Sequence, residues 1–196
     1  MKRILIIAEA GVNHNGDIEI AKKLVDSACD AGADVIKFQS FKSEKLVTKN
    51  AEKAPYQLKD ENREKSQFNM LKKLELNDHE TIILKEYCKE KNIEFLSTAF
   101  DLGSLKFLKN NGLNRYKIPS GEITNFPFLR EIAKINMPTI MSTGMANMQE
   151  IEEAIFCLCD FGLDKSLLTI LHCTTEYPAP FNEVNLKAMQ TIKNTF

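Results

Sequence analysis

Two lysines interrupt otherwise apolar runs, Lys37 in DVIKFQS (34–40) and Lys117 in RYKIPSGE (115–122). An ammonium in such a run loses hydration unless an anion or a carboxylate meets it. Two of them facing one mouth suit phosphate, on which lysine acts as a compact point charge. The alternative is that each pairs with a structural acid, and Glu9 and Glu122 are available for that. Hydroxyls keep company with the lysines. Ser97-Thr98, Ser120-Gly121, Ser142-Thr143-Gly144 and Thr174-Thr175 each follow an apolar run. Ser or Thr next to Gly lets hydroxyls and backbone N–H groups converge on an oxyanion. Ordinary helix N-capping is the other use, because helical patterns begin just downstream. Any one of these fits a cap; four in succession fit an anion site better. Glu9 closes the first run as a general base, a hydroxyl acceptor or the partner of Lys37. Gln39 can donate and accept toward a polar ligand, or satisfy loop backbone. His14 sits in the tight turn Asn13–Gly16 and is expected either to contact a substrate or, the more common outcome, to be an exposed ring. His172 ends the sixth run, and His79 falls in a charged, surface-type helical segment.

These residues need elements to position them. Six short apolar runs recur: LIIAEAG (5–11), DVIKFQS, IEFLSTAF (93–100), RYKIPSGE, TIMSTG (139–144) and LLTILHCT (167–174). Helical patterns alternate with them at about 17–31, 68–91 with a break near Asn77-Asp78, 101–110, 126–135, 148–160 and 184–194. In the first, Asp17 caps, Ile20, Leu24, Ala28 and Ala31 form the buried stripe, and Glu19 pairs with Lys23. In the second, Met70, Leu71, Leu74, Ile82, Ile83 and Tyr87 are the apolar positions. Strand–helix repetition of this kind selects a parallel sheet, and strand cores that are nearly all apolar are covered on both faces. The first strand–helix turn lacks G-x-G-x-x-G, which lowers a nucleotide-binding open sheet. The fold expected is α/β: six β/α units of a (β/α)8 TIM-type barrel are counted where a closed barrel needs eight, and a doubly wound open sheet is the main competitor. Such a barrel carries its chemistry at the carboxyl ends of its strands. One connection, 41–67, is far longer than the roughly 2–6 residues usual between strand and helix, and reads as a substrate arm or a solvated excursion.

Composition removes several function classes. The chain has 196 residues, 43% apolar and 27% charged, with a net charge of −1. That charge leaves no footprint for nucleic acid or an anionic membrane. The longest apolar run is far short of a bilayer span. Met-Lys-Arg-Ile-Leu-Ile-Ile-Ala imitates a signal peptide, but Glu9 interrupts it. Five cysteines, 29, 88, 157, 159 and 173, show neither disulfide nor zinc spacing, so a reducing cytoplasm is expected.

Taken together, AEAGVNHNGD, KFQSF, FLSTAFD, YKIPSGEITNFP, STGMA and HCTTEYPAPFNEVNL closely resemble the sialic acid synthase family over essentially the whole chain. AEAGVNHNGD, KAPYQ and GEITN look most like its N,N'-diacetyllegionaminate branch, with the N-acetylmannosamine-using branch as the close alternative. The resemblance implies a full barrel followed by an antifreeze-like domain, assembled as a domain-swapped homodimer. Residues 1–196 would then be the N-terminal part, without the last two β/α units and the C-terminal domain. It implies condensation of phosphoenolpyruvate with an N-acetylated mannosamine-type sugar, with Mn²⁺ or Mg²⁺ polarising the aldehyde. Lys37, Thr98, Lys117, Ser120, Ser142 and Thr175 match phosphoenolpyruvate positions; Thr175 stands where N-acetylmannosamine-using relatives often have asparagine. Glu9, Gln39, Tyr56, Gln57 and Tyr177 match sugar-side positions. Glu9, Lys37 and Lys117 are the residues implied in catalysis, and Glu122 would back Lys117. The metal ligands implied are two histidines beyond residue 196, so no metal is expected on this chain's own residues.

Two other functions fit the same residues. One is a Schiff-base aldolase with Lys37 or Lys117 as nucleophile. The other is a non-catalytic remnant that binds a phosphorylated ligand. If the synthase is right, the 196-residue chain alone is expected to be inactive.

Overall fold

The computed structural model describes residues 4–53 and 66–196. It divides into two compact units, Met1–Asn111 and Gly112–Phe196, each considered by itself.

The first unit runs β1 (Ile7–Gly11), α1 (Ile18–Asp30), β2 (Val35–Ser40), α2 (Ser43–Leu46), α3 (Gln67–Leu74), α4 (Asp78–Glu90), β3 (Glu94–Ala99) and α5 (Leu102–Asn110). Its sheet is parallel, in the order β1-β2-β3. Helix boundaries follow local chemistry. Asp17 caps α1 through the N–H groups of Glu19 and Ile20. Asn77 and Glu80 close a reciprocal capping box on α4, which is why the second helical pattern breaks there. The buried stripes differ from expectation. α1 buries Ala21, Val25 and Ala28, while Ile20 is exposed; Glu19 pairs with Lys22 instead of Lys23. α4 buries Thr81, Leu84 and Cys88, while Ile82 is exposed. Ala28 is buried as expected, and in α4 Leu84 is fully buried while Ile82 flanks the contact. The long connection is clipped at its base by an antiparallel bridge between Glu52 and Ser66.

The second unit runs β4 (Tyr116–Ile118), α6 (Phe126–Ala133), β5 (Thr139–Ser142), α7 (Met148–Asp160), β6 (Leu168–Leu171) and α8 (Ala188–Thr195). This sheet is also parallel, in the order β4-β5-β6. Its core is Leu129, Ile132, Met141, Ala154 and Leu158, all nearly inaccessible. β4 and β5 are buried throughout, as expected for strands covered on both faces. β6 departs from that expectation: Thr169 and Leu171 are exposed. Gly112, Asn136 and Gly162 take positive φ at the helix-to-strand turns. The α/β class with parallel sheets is therefore as expected from the alternation of runs.

Candidate active site

In the first unit the parallel register sets Glu9 beside Lys37 and Gln39 beside Thr98. Register partners point to one face, and every second residue shares it. Glu9, Lys37, Gln39 and Thr98 thus gather at the carboxyl end of one face of the sheet. Phe38 points the other way and stacks on Phe95 at 5.8 Å between centroids. Lys37 Nζ forms an ion pair with Glu9. The register of β1 slips between Glu9 and Gly11, a bulge that re-aims the end of the strand. Gly11 has φ +54°, and a Cβ there would lie 3.2 Å from Glu9 Oε1 and 3.6 Å from Gln39 Nε2. A glycine is needed for both side chains to close over it, a role that sequence reading missed. Thr98 is 2% exposed and its Oγ1 has no hydrogen-bond partner among the described residues. A buried, unpaired hydroxyl at a strand end is a donor held ready for something else.

In the second unit Lys117 is 8% exposed. Its ammonium donates to Ser142 Oγ at 2.5 Å and to the Ile118 carbonyl at 2.6 Å. Ser142 also receives Cys173, with Sγ at 3.3 Å. Ser120 Oγ accepts from the Gly144 N–H at 2.9 Å. A Cβ on Gly144 would come within 2.7 Å of Thr175 Cγ2 and 3.0 Å of Ser120 Oγ, so this glycine lets three strand ends meet. Lys117, Ser120, Ser142 and Thr175 are therefore brought together. Cys173 is the member that sequence reading passed over. The signal was alternation, since it lies two residues beyond Leu171, the register partner of Ser142.

The N-capping alternative for these hydroxyls does not hold. The caps are Asp101 for α5, Asn125 for α6 and Asn147 for α7. Thr98, Ser120 and Ser142 take no part in them. Glu122 accepts from Asn125 Nδ2 at the start of α6.

The remaining expected residues are placed as follows. Tyr177 is largely exposed, on the segment after β6. Tyr56 and Gln57 lie outside the described residues. His14 departs from expectation: it is fully buried, because its ring packs toward Phe38 at 6.1 Å and its Nδ1 accepts from the Gly16 N–H. Burial holds its pKa below the ordinary 6.5, with Glu80 partly opposing. His172 Nε2 lies 2.8 Å from the Val184 carbonyl, and His79 is on the surface. The described cysteines are all free. Among the described residues, no three His, Cys, Asp or Glu side chains are grouped to hold a metal ion, and no helix is long and apolar enough to cross a membrane.

Comparison with known proteins gives these chemical groups a context. A family model described as the NeuB family matches residues 24–196. The chain is 58% identical over 198 residues to the N,N'-diacetyllegionaminic acid synthase of Campylobacter jejuni, covering 100% of this chain and 59% of that protein. It is 49% identical over 194 residues to the Legionella pneumophila protein of the same name, covering 97% and 54%. Among solved structures, the N-acetylneuraminic acid (sialic acid) synthetase from Leptospira borgpetersenii, crystallised with citrate, matches at a TM-score of 0.84 and 36% identity. That match covers 100% of this chain and 62% of the other. The chain spans less than two thirds of the length of each of these relatives.

Proposed function

The chain belongs to the NeuB family, and from that premise we propose that it is the N-terminal part of a nonulosonic acid synthase barrel. The reaction condenses phosphoenolpyruvate with an N-acetylated mannosamine-type sugar. The sugar favoured is 2,4-diacetamido-2,4,6-trideoxymannose, as the names of the two legionaminic acid synthases suggest; N-acetylmannosamine is the alternative. The single observation that carries the reading is the buried Lys117 ammonium set among strand-end hydroxyls that cap no helix. A buried cation with donors around it is built to receive an anion.

In this proposal the family resemblance assigns Lys37, Thr98, Lys117, Ser120, Ser142 and Thr175 to phosphoenolpyruvate. Glu9, Gln39 and Tyr177, with Tyr56 and Gln57, serve the sugar. The enol carbon C3 of phosphoenolpyruvate attacks the open-chain aldehyde, forming the new C–C bond. Water then adds at C2 and phosphate leaves with cleavage of its C–O bond. Lys117 and the serine hydroxyls offset the negative charge of the phosphate and carboxylate. Glu9 is suited to handle a proton or a sugar hydroxyl near the reacting carbon, and its ion pair with Lys37 keeps it oriented. The described residues do not themselves make a metal site, so no step is assigned to a metal here. A divalent ion, Mn²⁺ or Mg²⁺, belongs to the proposal for the longer protein, as do the homodimer and a cytoplasmic location.

The Schiff-base alternative needs a neutral amine, whereas Lys37 is held in an ion pair with Glu9. The test is an assay of the full-length protein with phosphoenolpyruvate and each sugar, reading phosphate release and product mass. A nine-carbon 2-keto acid with stoichiometric phosphate is expected. Absence of both with either sugar would sink the proposal.

A further inference from the structure

We propose that Cys173 is a positioning residue that holds the Ser142 hydroxyl hydrogen outward, as a donor to the bound anion. This rests on the phosphoenolpyruvate reading above.

The inference follows from counting hydrogens and lone pairs. A serine hydroxyl has one hydrogen to give and two lone pairs to fill. An ammonium can only donate, so Lys117 Nζ at 2.5 Å occupies one lone pair of Ser142 Oγ. Cys173 Sγ lies 3.3 Å from the same oxygen. Its thiol has a single hydrogen and two possible acceptors, Ser142 Oγ and the Leu171 carbonyl at 3.5 Å. The Leu171 carbonyl already accepts from Thr143 Oγ1 at 2.8 Å and from the Thr143 N–H at 3.2 Å. Both of its lone pairs are taken, so the thiol hydrogen goes to Ser142. With both lone pairs of Ser142 filled, its own hydrogen cannot turn toward Lys117 or Cys173. It is left for a ligand. Ser120 Oγ likewise serves as an acceptor, from the Gly144 N–H.

The register explains why residue 173 is the one to do this. Ser142 pairs with Leu171 across β5 and β6, and the residue two further on returns to the same face. A side chain there must be short and must carry a hydrogen to donate. Cysteine meets both needs, and serine is its nearest substitute.

The test uses the full-length enzyme, with steady-state kinetics varying phosphoenolpyruvate and sugar in turn, and a thermal melt of each variant. Cys173→Ala is expected to raise KM for phosphoenolpyruvate about three- to tenfold, the loss of one oriented neutral hydrogen bond. kcat, the sugar KM and the melting temperature stay near wild type. Cys173→Ser is expected to return KM to within about twofold, because the hydroxyl supplies the same donor. An unchanged phosphoenolpyruvate KM in an active Cys173→Ala enzyme overturns this inference alone. So does a Cys173→Ser variant no better than alanine, or a loss shared by both substrates and the melting temperature. A wild-type enzyme that consumes no phosphoenolpyruvate overturns the synthase reading, and this inference with it.

Discussion

Thr98 and His14 are buried polar residues whose environments make opposite predictions. The Thr98 hydroxyl has no partner among the described residues, so Thr98→Val removes a desolvated donor without orphaning another of their groups. The expected result is a melting temperature equal to or above wild type, together with a several-fold rise in KM for phosphoenolpyruvate. A clear fall in melting temperature would mean that the hydroxyl serves the fold. His14 is held neutral by burial, its pKa below 6.5. The unfolded chain therefore binds a proton more readily than the folded one as pH falls through 6.5. Stability from this group is full above that value and is lost as pH drops toward the lowered folded pKa. The urea midpoint should decline as pH falls below 6.5, ahead of the range centred at about 4 where carboxylates titrate. His14→Asn, whatever its overall stability, should show a flatter profile; an identical slope would remove His14 as the cause. At this scale the sequence pointed to Lys37, Lys117, Glu9 and the strand-end hydroxyls, because polar residues closing apolar runs are visible without coordinates. It pointed away from the burial of His14. That burial depends on Phe38, which arrives from a different strand.

Elements hold these residues through a few close approaches. Gly16, in the turn between β1 and α1, has φ +77°, and a Cβ on it would meet the Lys73 carbonyl at 2.2 Å. The carbonyl belongs to the last turn of α3, so this turn and the C-terminal end of α3 are fixed against each other. Gly16→Ala should destabilise the protein on the order of 1–3 kcal/mol from backbone strain alone, and by more if α3 must shift. Chemical denaturation would measure it, and a change below about 0.5 kcal/mol would contradict the contact, since surface substitutions stay within that range. Most strand and helix positions were legible in the sequence, since Gly, Asn and Pro mark the turns and Asp or Asn caps α1, α4, α5, α6 and α7. Which helix face turns inward was less legible. In α1 and α4 the helices bury Ala21, Val25, Ala28, Thr81, Leu84 and Cys88 while Ile20 and Ile82 border the contact, and hydrophobicity alone ranks those isoleucines ahead of Thr81 and Cys88. The contribution of Gly11 was hidden for a similar reason, since a glycine's value lies in what approaches it, whereas Gly144 showed as the companion of the Ser142-Thr143 hydroxyls.

For the whole molecule, the proposed reading is a synthase of which this chain is one part. Purified on its own, the 196-residue chain is expected to make no detectable product with Mn²⁺, phosphoenolpyruvate and either sugar, whereas the full-length protein does. Product from the short chain would show that residues 1–196 hold all the chemistry. The central claim is that phosphoenolpyruvate reacts through its enol carbon and loses phosphate by C–O cleavage. The most direct measurement uses phosphoenolpyruvate carrying ¹⁸O in the bridging oxygen, turned over by the full-length enzyme with the sugar, followed by mass analysis of both products. The label should leave with inorganic phosphate, and Lys117→Met should abolish the release. Label retained in the keto acid, or a sugar or pyruvate adduct on Lys37 or Lys117 trapped by borohydride, would contradict the synthase account.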